Sequence, residues 1–80
     1  MAGDESLIGS IGVLLIATRG AHGPGEVLLK IRGGTEVYRA YSIEPIRRGS
    51  TVLVINDRGT RAVDVSAWAD PLQPLSDDVI

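Results

Sequence analysis

The stretch GPGEVLLKIRGGTEVYRAYS, from Gly23 to Ser42, decides the fold. In Glu26–Arg32, Val27 and its alternate neighbours are apolar, which is the period of a strand that buries one face. The dipeptide Gly33-Gly34 follows, and two glycines tolerate the positive φ angles of a two-residue hairpin turn. Glu36–Ser42 then returns as the partner strand. This stretch therefore predicts a β-hairpin with one face in a core.

Similar short strands lie on both sides of this hairpin. Leu7–Thr18 is apolar but contains glycines, which predicts a long first strand that bends or bulges. Thr51–Asn56 and Thr60–Ser66 predict a second hairpin that turns at Asp57–Gly59. The connection Ile43–Ser50 contains proline and glycine and is too short for a substantial helix. The chain is therefore predicted to have five strands and almost no helix.

Five short strands in 80 residues leave few ways to cover the edges of a sheet. Closure into a barrel does so best, and a long first strand followed by two hairpins favours an OB-fold over a sandwich. An SH3-like barrel is the alternative. We predict an all-β, OB-fold-like five-stranded barrel over residues 7–68, a disordered N-terminal end over 1–6 and a flexible acidic tail over 69–80. The side chains predicted to point inward are Val27, Leu29, Ile31, Val52, Val54, Val63 and Val65.

Composition argues against several kinds of chemistry. The chain has no cysteine and one histidine, His22, which lies in a glycine-rich loop. Without cysteine there is no disulfide scaffold and no thiolate metal site, and a lone histidine in a loop is a poor metal ligand or triad member. We therefore expect no catalytic residue, no cofactor and no metal site. The sequence predicts a protein that is not an enzyme.

The amount and position of charge indicate whether the chain binds nucleic acid. The formal net charge at pH 7 is −2, and all eight basic residues lie between Arg19 and Arg61. A dedicated nucleic-acid-binding protein normally has a clear basic excess, so we expect no nucleic-acid partner.

The first hairpin nevertheless offers a candidate interaction face. Strand alternation directs one set of its side chains outward, away from the predicted core. The members of this face are Lys30, Arg32, Arg39 and Tyr41. Oligonucleotide-binding barrels combine a basic groove with several aromatic platforms on the corresponding strands, and this face has one aromatic ring. An oligonucleotide-binding module is the alternative function.

The order of glycines and valines resembles the C-terminal soluble domain of NfeD-like membrane proteins, particularly an actinobacterial-type version. The matching stretches are Gly9-x-x-Gly12, Gly23–Ser42 and Glu44–Val65. Within them stand the small residue Ala40 in the third strand, the pattern I-x-x-G-x-x-V-x-V from Ile46 to Val54, and a closing V-x-V from Val63 to Val65.

This resemblance implies an OB-like barrel that is the soluble domain of a membrane-anchored protein. NfeD-like proteins are associated with membrane proteins of the stomatin, prohibitin and flotillin type and are implicated in regulating membrane protease activity. The resemblance implies no catalytic or cofactor residue. We therefore expect a non-enzymatic protein-interaction domain whose partner is of the stomatin/prohibitin/flotillin type.

Overall fold

The structure, a computed structural model, describes residues 7–31 and 33–68. Strands make up most of these residues. In these residues the strands are β1 (Ile11–Ile16), β2 (Thr18–Arg19), β3 (Gly25–Ile31), β4 (Gly34–Tyr41), β5 (Pro45–Ile46), β6 (Thr51–Gly59) and β7 (Ala62–Ala67). Gly20–His22 forms a single turn of 3₁₀ helix. The predicted disordered end, 1–6, and the predicted flexible tail, 69–80, lie outside the described residues.

Five of these strands close into a barrel in the order β1-β3-β4-β7-β6, and β6 pairs back to β1. Neighbouring strands run antiparallel except β4 and β7, which are parallel. β2 and β5 form a separate two-stranded sheet. The arrangement confirms the predicted all-β fold, a small five-stranded OB-fold-like barrel with little helix.

The barrel interior follows the period-two pattern of the sequence. The buried core consists of Leu14, Val27, Leu29, Ala40, Val52, Val54, Val63 and Val65. These include every predicted inward side chain except Ile31, which is half-buried and packs against the core at the end of β3. Burying each of the larger aliphatic side chains contributes about 1.5–3 kcal/mol, so this cluster is the main source of stability.

β1 approaches β3 closely at two glycines. A Cβ atom on Gly12 would lie 2.6 Å from a backbone oxygen of β3, and one on Gly25 would lie 2.2 Å from the carbonyl oxygen of Ile16. Rotation of a side chain cannot relieve a contact with backbone atoms. The pairing register also shifts between Leu14 and Ile16. The predicted long strand Leu7–Thr18 is therefore bent here, and the structure forms strand only over β1 and then β2.

The second hairpin turns later than the sequence predicts. The prediction placed the turn at Asp57–Gly59, whereas β6 continues to Gly59 and the chain reverses at Thr60 and Arg61, whose φ angles are 51° and 60°. Asp57 Oδ1 accepts a hydrogen bond from the Gly59 N–H at 2.9 Å, and the register shifts between these two residues. The Asp-x-Gly signal therefore produces a β-bulge rather than the chain reversal.

Candidate functional site

The predicted interaction face lies on the outer surface of the β3–β4 hairpin. Lys30 and Arg39 are exposed and Tyr41 is half-buried, while Arg32 lies outside the described residues. Lys30 stands opposite Thr35, four residues before Arg39 along β4. About 13 Å of strand therefore separates the two cations. The structure places Lys30, Arg39 and Tyr41 on one face but does not cluster them.

Between the two cations runs an apolar row that the sequence analysis missed. Val13 of β1 pairs with Leu28 of β3, and Leu28 pairs with Val37 of β4. Val13 is 43% exposed and Val37 is 39% exposed. Because paired residues share one face of a sheet, these side chains form a strip across three strands, here called the outer apolar row. Unbroken apolar runs such as Val13–Ile16 were the available signal, because a strand apolar at every position presents apolar groups on both faces.

Tyr41 already has a cationic partner. The Arg58 Cζ atom lies 3.9 Å from the centroid of the Tyr41 ring, which is cation–π geometry. Arg58 Nε donates to Asp64 Oδ1 at 2.9 Å, and Asn56 Nδ2 donates to Asp64 Oδ2 at 3.0 Å. This network occupies one face of a half-buried ring. Tyr41 is consequently a poor platform on which to stack a nucleic-acid base.

A groove lies between the connection after β4 and the β6–β7 hairpin. We call it the β7 groove; its volume is about 730 Å³, and its lining includes Tyr41, Ile43, Ile55, Arg58 and Ala67. Ile43 is 89% exposed and Ile55 is 47% exposed. The volume falls within the range of about 300–1,000 Å³ that is typical of binding sites. An open groove with exposed isoleucines is suited to an apolar ligand.

Thr18 holds one wall of the β7 groove in place. Thr18 is 2% exposed, and its Oγ1 accepts a hydrogen bond from the Ile46 N–H at 2.8 Å. Ser42 Oγ lies 2.6 Å from both Thr18 Oγ1 and the Glu44 carbonyl oxygen. These bonds satisfy a buried hydroxyl and fix both ends of the segment that carries Ile43.

Within residues 7–31 and 33–68, no three His, Cys, Asp or Glu side chains gather closely enough to hold a metal ion. No helix in the same ranges is both long enough and apolar enough to cross a membrane.

Several solved structures are similar to this chain. The soluble domain of the NfeD protein YuaF from Bacillus subtilis is 31% identical, with 76% of this chain and 73% of that chain covered and a TM-score of 0.65. The C-terminal domain of stomatin operon partner protein 1510-C from Pyrococcus horikoshii is 25% identical, with 88% of this chain and 100% of that chain covered and a TM-score of 0.64.

A third similar structure comes from Corynebacterium glutamicum. It is the soluble domain of a membrane protein implicated in regulation of membrane protease activity. Its identity is 20% over 79% of this chain and 94% of that chain, and its TM-score is 0.55, so it shows a shared fold alone.

The family comparison agrees with the barrel. The model of the NfeD C-terminal domain matches residues 11–66, from the first residue of β1 to the second-last residue of β7. No curated protein matches this chain. The family match and the similar structures confirm the resemblance that the glycine and valine pattern indicates, and the chain belongs to the NfeD C-terminal domain family.

Proposed function

We propose that this domain is a non-enzymatic protein-interaction module of a membrane-anchored protein. Its partner is a membrane protein of the stomatin, prohibitin or flotillin type, and binding contributes to the regulation of membrane protease activity. Support for the partner comes from the Pyrococcus relative, which is a stomatin operon partner protein. The soluble domains in Bacillus and Corynebacterium belong to an NfeD protein and a membrane protein, which supports membrane attachment.

The observation that carries this proposal is the outer apolar row. Val13, Leu28 and Val37 run across three neighbouring strands on the outside of the barrel, and Lys30 and Arg39 flank them. An apolar centre with a charged rim is the usual anatomy of a protein interface. Contact with a partner would remove this apolar area from water, which stabilises a complex by roughly 25 cal/mol per Å² before the costs of association. We propose that the predicted face, Lys30, Arg32, Arg39 and Tyr41, forms this rim.

The test is binding to a purified stomatin-type protein held in lipid nanodiscs. Val37→Asp places a charge at the β4 end of the row, and Arg39→Glu reverses the charge of the rim. Each variant is expected to weaken binding at least tenfold. Val37→Asp would bury an unpaired carboxylate under the partner and Arg39→Glu would remove an arginine contact, and each loss is worth about 1.4–3 kcal/mol. Arg48→Glu is the control, because Arg48 is exposed on the connection before β6, outside the hairpin. Equal affinity for all four proteins, with folding intact, would contradict the proposal.

Oligonucleotide binding is tested with the same protein. We expect single-stranded DNA to bind no more tightly than the non-specific range of about 10⁻⁴–10⁻⁶ M, and to weaken as salt is added. The acidic net charge and the Arg58-capped Tyr41 ring support this expectation. Submicromolar binding at physiological salt would replace the interaction module with an oligonucleotide-binding one.

A further inference from the structure

The parallel pairing between β4 and β7 is short, and β7 extends beyond it. The register runs from Arg39 opposite Ala62 to Tyr41 opposite Asp64. β7 then continues through Val65–Ala67, while the chain after Tyr41 turns away into the connection. Among the described residues, this last part of β7 pairs with β6 alone. Over Val65–Ala67, the side of β7 that faces away from β6 is therefore an open strand edge.

The ladder alternation identifies the groups on that edge. The Trp68 N–H donates to the Thr51 carbonyl oxygen at 3.0 Å, so Trp68 directs its peptide groups toward β6. In an antiparallel pair every second residue does the same, which leaves Ala67 with its N–H and carbonyl directed away from β6. No backbone hydrogen bond from the connection reaches Ala67 within the described residues. Its donor and acceptor face the β7 groove, whose lining includes Ala67.

The groove beside this edge is apolar and preorganised. Ile43 and Ile55 both line the groove, and both are substantially exposed. The segment that carries Ile43 is fixed by the hydrogen bonds to Thr18 described above. Gly20 also packs against this segment, because a Cβ atom there would lie 3.0 Å from the Ile43 carbonyl oxygen. A ligand therefore meets a wall that needs little ordering on binding.

The charges of the groove do not favour an ionic ligand. Its charged side chains are two acids and two bases, namely Glu44, Asp64, Arg47 and Arg58. Asp64 and Arg58 neutralise each other at 2.9 Å. A site of this balance has no net field to attract a phosphate backbone or an acidic peptide. Charge complementarity therefore selects an uncharged occupant.

We propose that the β7 groove binds an extended, uncharged apolar peptide segment of a partner protein, which adds as a strand to the open edge of β7. The backbone of the peptide pairs with Ala67, and alternate side chains pack on Ile43 and Ile55. This is strand addition, in which backbone bonds supply affinity and flanking pockets supply specificity. The proposal rests on the interaction function of the domain, but it uses a surface other than the outer apolar row.

The probe is a fluorescein-labelled peptide of alternating threonine and valine, blocked at both ends. We expect it to bind with micromolar affinity and to shift the amide resonances of Ala67 and Ile43 in a ¹⁵N spectrum. Methylating the peptide nitrogens along one edge should abolish binding, whereas methylating those along the other edge should leave it unchanged. A strand pairs through one edge only, so this difference distinguishes strand addition from general hydrophobic adhesion.

Two variants of the protein test the two components of the site. Ala67→Pro removes the edge donor and should abolish probe binding, and Ile43→Ser removes an apolar contact and should weaken binding at least fivefold. Ile16→Ser is the matched control, since Ile16 is 51% exposed and lies outside the groove. If Ala67→Pro does not fold, Ile43→Ser against Ile16→Ser still decides the question because both positions are exposed.

Several outcomes would overturn the proposal. They are equal binding of both methylated peptides, no binding up to millimolar protein, and a probe affinity that Ile43→Ser leaves unchanged. If removal of residues 69–80 tightens probe binding, those residues compete for the groove and the occupant is this chain itself. If the protein forms a dimer that Ile43→Ser abolishes, the occupant is a second copy of the chain. The variant Val37→Asp should bind the probe normally. Nanodisc binding that Val37→Asp leaves unchanged, with the probe bound normally, contradicts the proposed function alone. Absence of probe binding to the unaltered protein, with nanodisc binding weakened by Val37→Asp, contradicts strand addition alone.

Discussion

The two hairpins of the barrel differ in whether their outward-facing charged side chains have partners within the domain. On the β6–β7 hairpin, Asp64 accepts hydrogen bonds from Asn56 and Arg58. On the β3–β4 hairpin, Glu26 and Arg39 stand opposite each other, but no ion pair joins them in the part of the chain that the structure describes. Within the second hairpin, Asp64, Asn56 and Arg58 therefore satisfy one another. On the first hairpin, Glu36 pairs with Arg61 of the second at 2.9 Å, whereas Glu26 and Arg39 are available to a partner.

The two hairpins also differ in the regularity of their strand pairing. β3 and β4 pair without interruption from Gly25 opposite Ala40 to Ile31 opposite Gly34. β6 and β7 pair with two register shifts, and bulges of this kind bend and twist a strand. A regular hairpin presents an even face with an apolar row, which suits docking of a folded partner. A bulged hairpin curves, and its outer side lines a groove that suits an extended segment.

The largest expected effect tests what the two hairpins share, which is one core. Val54 is 1% exposed, so Val54→Asp places an unpaired carboxylate among aliphatic side chains. A domain of this size has a free energy of unfolding of about 4–12 kcal/mol, and the substitution should remove most or all of it. Circular dichroism and an NMR spectrum should report an unfolded chain.

The neighbouring position supplies the control for that experiment. Ile55 follows Val54 on β6 and is 47% exposed, so Ile55→Asp places the same carboxylate in water. We expect Ile55→Asp to remain folded. Two folded variants, or two unfolded ones, would show that β6 does not alternate between core and solvent as described.

The sequence predicts the core well and the loops less well, for a physical reason. Period-two alternation is local, so Val52 and Val54 are identified as inward residues without knowledge of the partner strands. The turn at Thr60 and Arg61 is missed because Asp57–Gly59 carries stronger turn residues, which the fold uses for a bulge. Only the tertiary context decides between these two uses.

The two candidate surfaces likewise differ in how much of each could be predicted from the sequence. The outward direction of Arg39 follows from alternation, and the structure places it outward. The β7 groove depends on where β4 and β7 stop pairing, and these strands are distant in sequence and meet at three positions. The small sheet of β2 and β5 is similarly non-local and too short to leave a pattern. Neither feature could have been predicted from periodicity.

A smaller effect measures the difference between the hairpins directly. Asp64→Asn keeps the shape of the side chain but removes the charge that holds Arg58 and Asn56. Because these groups are partly exposed, we expect a loss of about 0.5–1.5 kcal/mol in the free energy of unfolding. Urea unfolding at low and high salt should show that the loss shrinks as salt screens the pair.

The matched change on the first hairpin is Glu26→Gln. Since no ion pair joins Glu26 to Arg39 in residues 7–31 and 33–68, we expect a change within about 0.5 kcal/mol, which is typical of surface substitutions. If Glu26→Gln destabilises the domain as much as Asp64→Asn does, the contrast between the hairpins is wrong. The charges of the first hairpin would then be satisfied within the domain rather than by a partner.

Another small effect is expected in the turn of the second hairpin, where a substitution should raise stability rather than lower it. Thr60 and Arg61 form a two-residue turn with both φ angles positive, the pattern of a type I′ turn, and a β-branched threonine is unfavourable there. Asparagine adopts this conformation readily, so Thr60→Asn should raise the free energy of unfolding by about 0.5 kcal/mol, or the melting temperature by about 2–4 °C. The control is Thr35→Asn in the extended strand β4, where asparagine is a poor strand former and should lower stability slightly. Calorimetry measures the melting temperatures of both variants. If both are less stable than the unaltered protein, Thr60 is not held at positive φ, and the second hairpin does not turn where the structure places it.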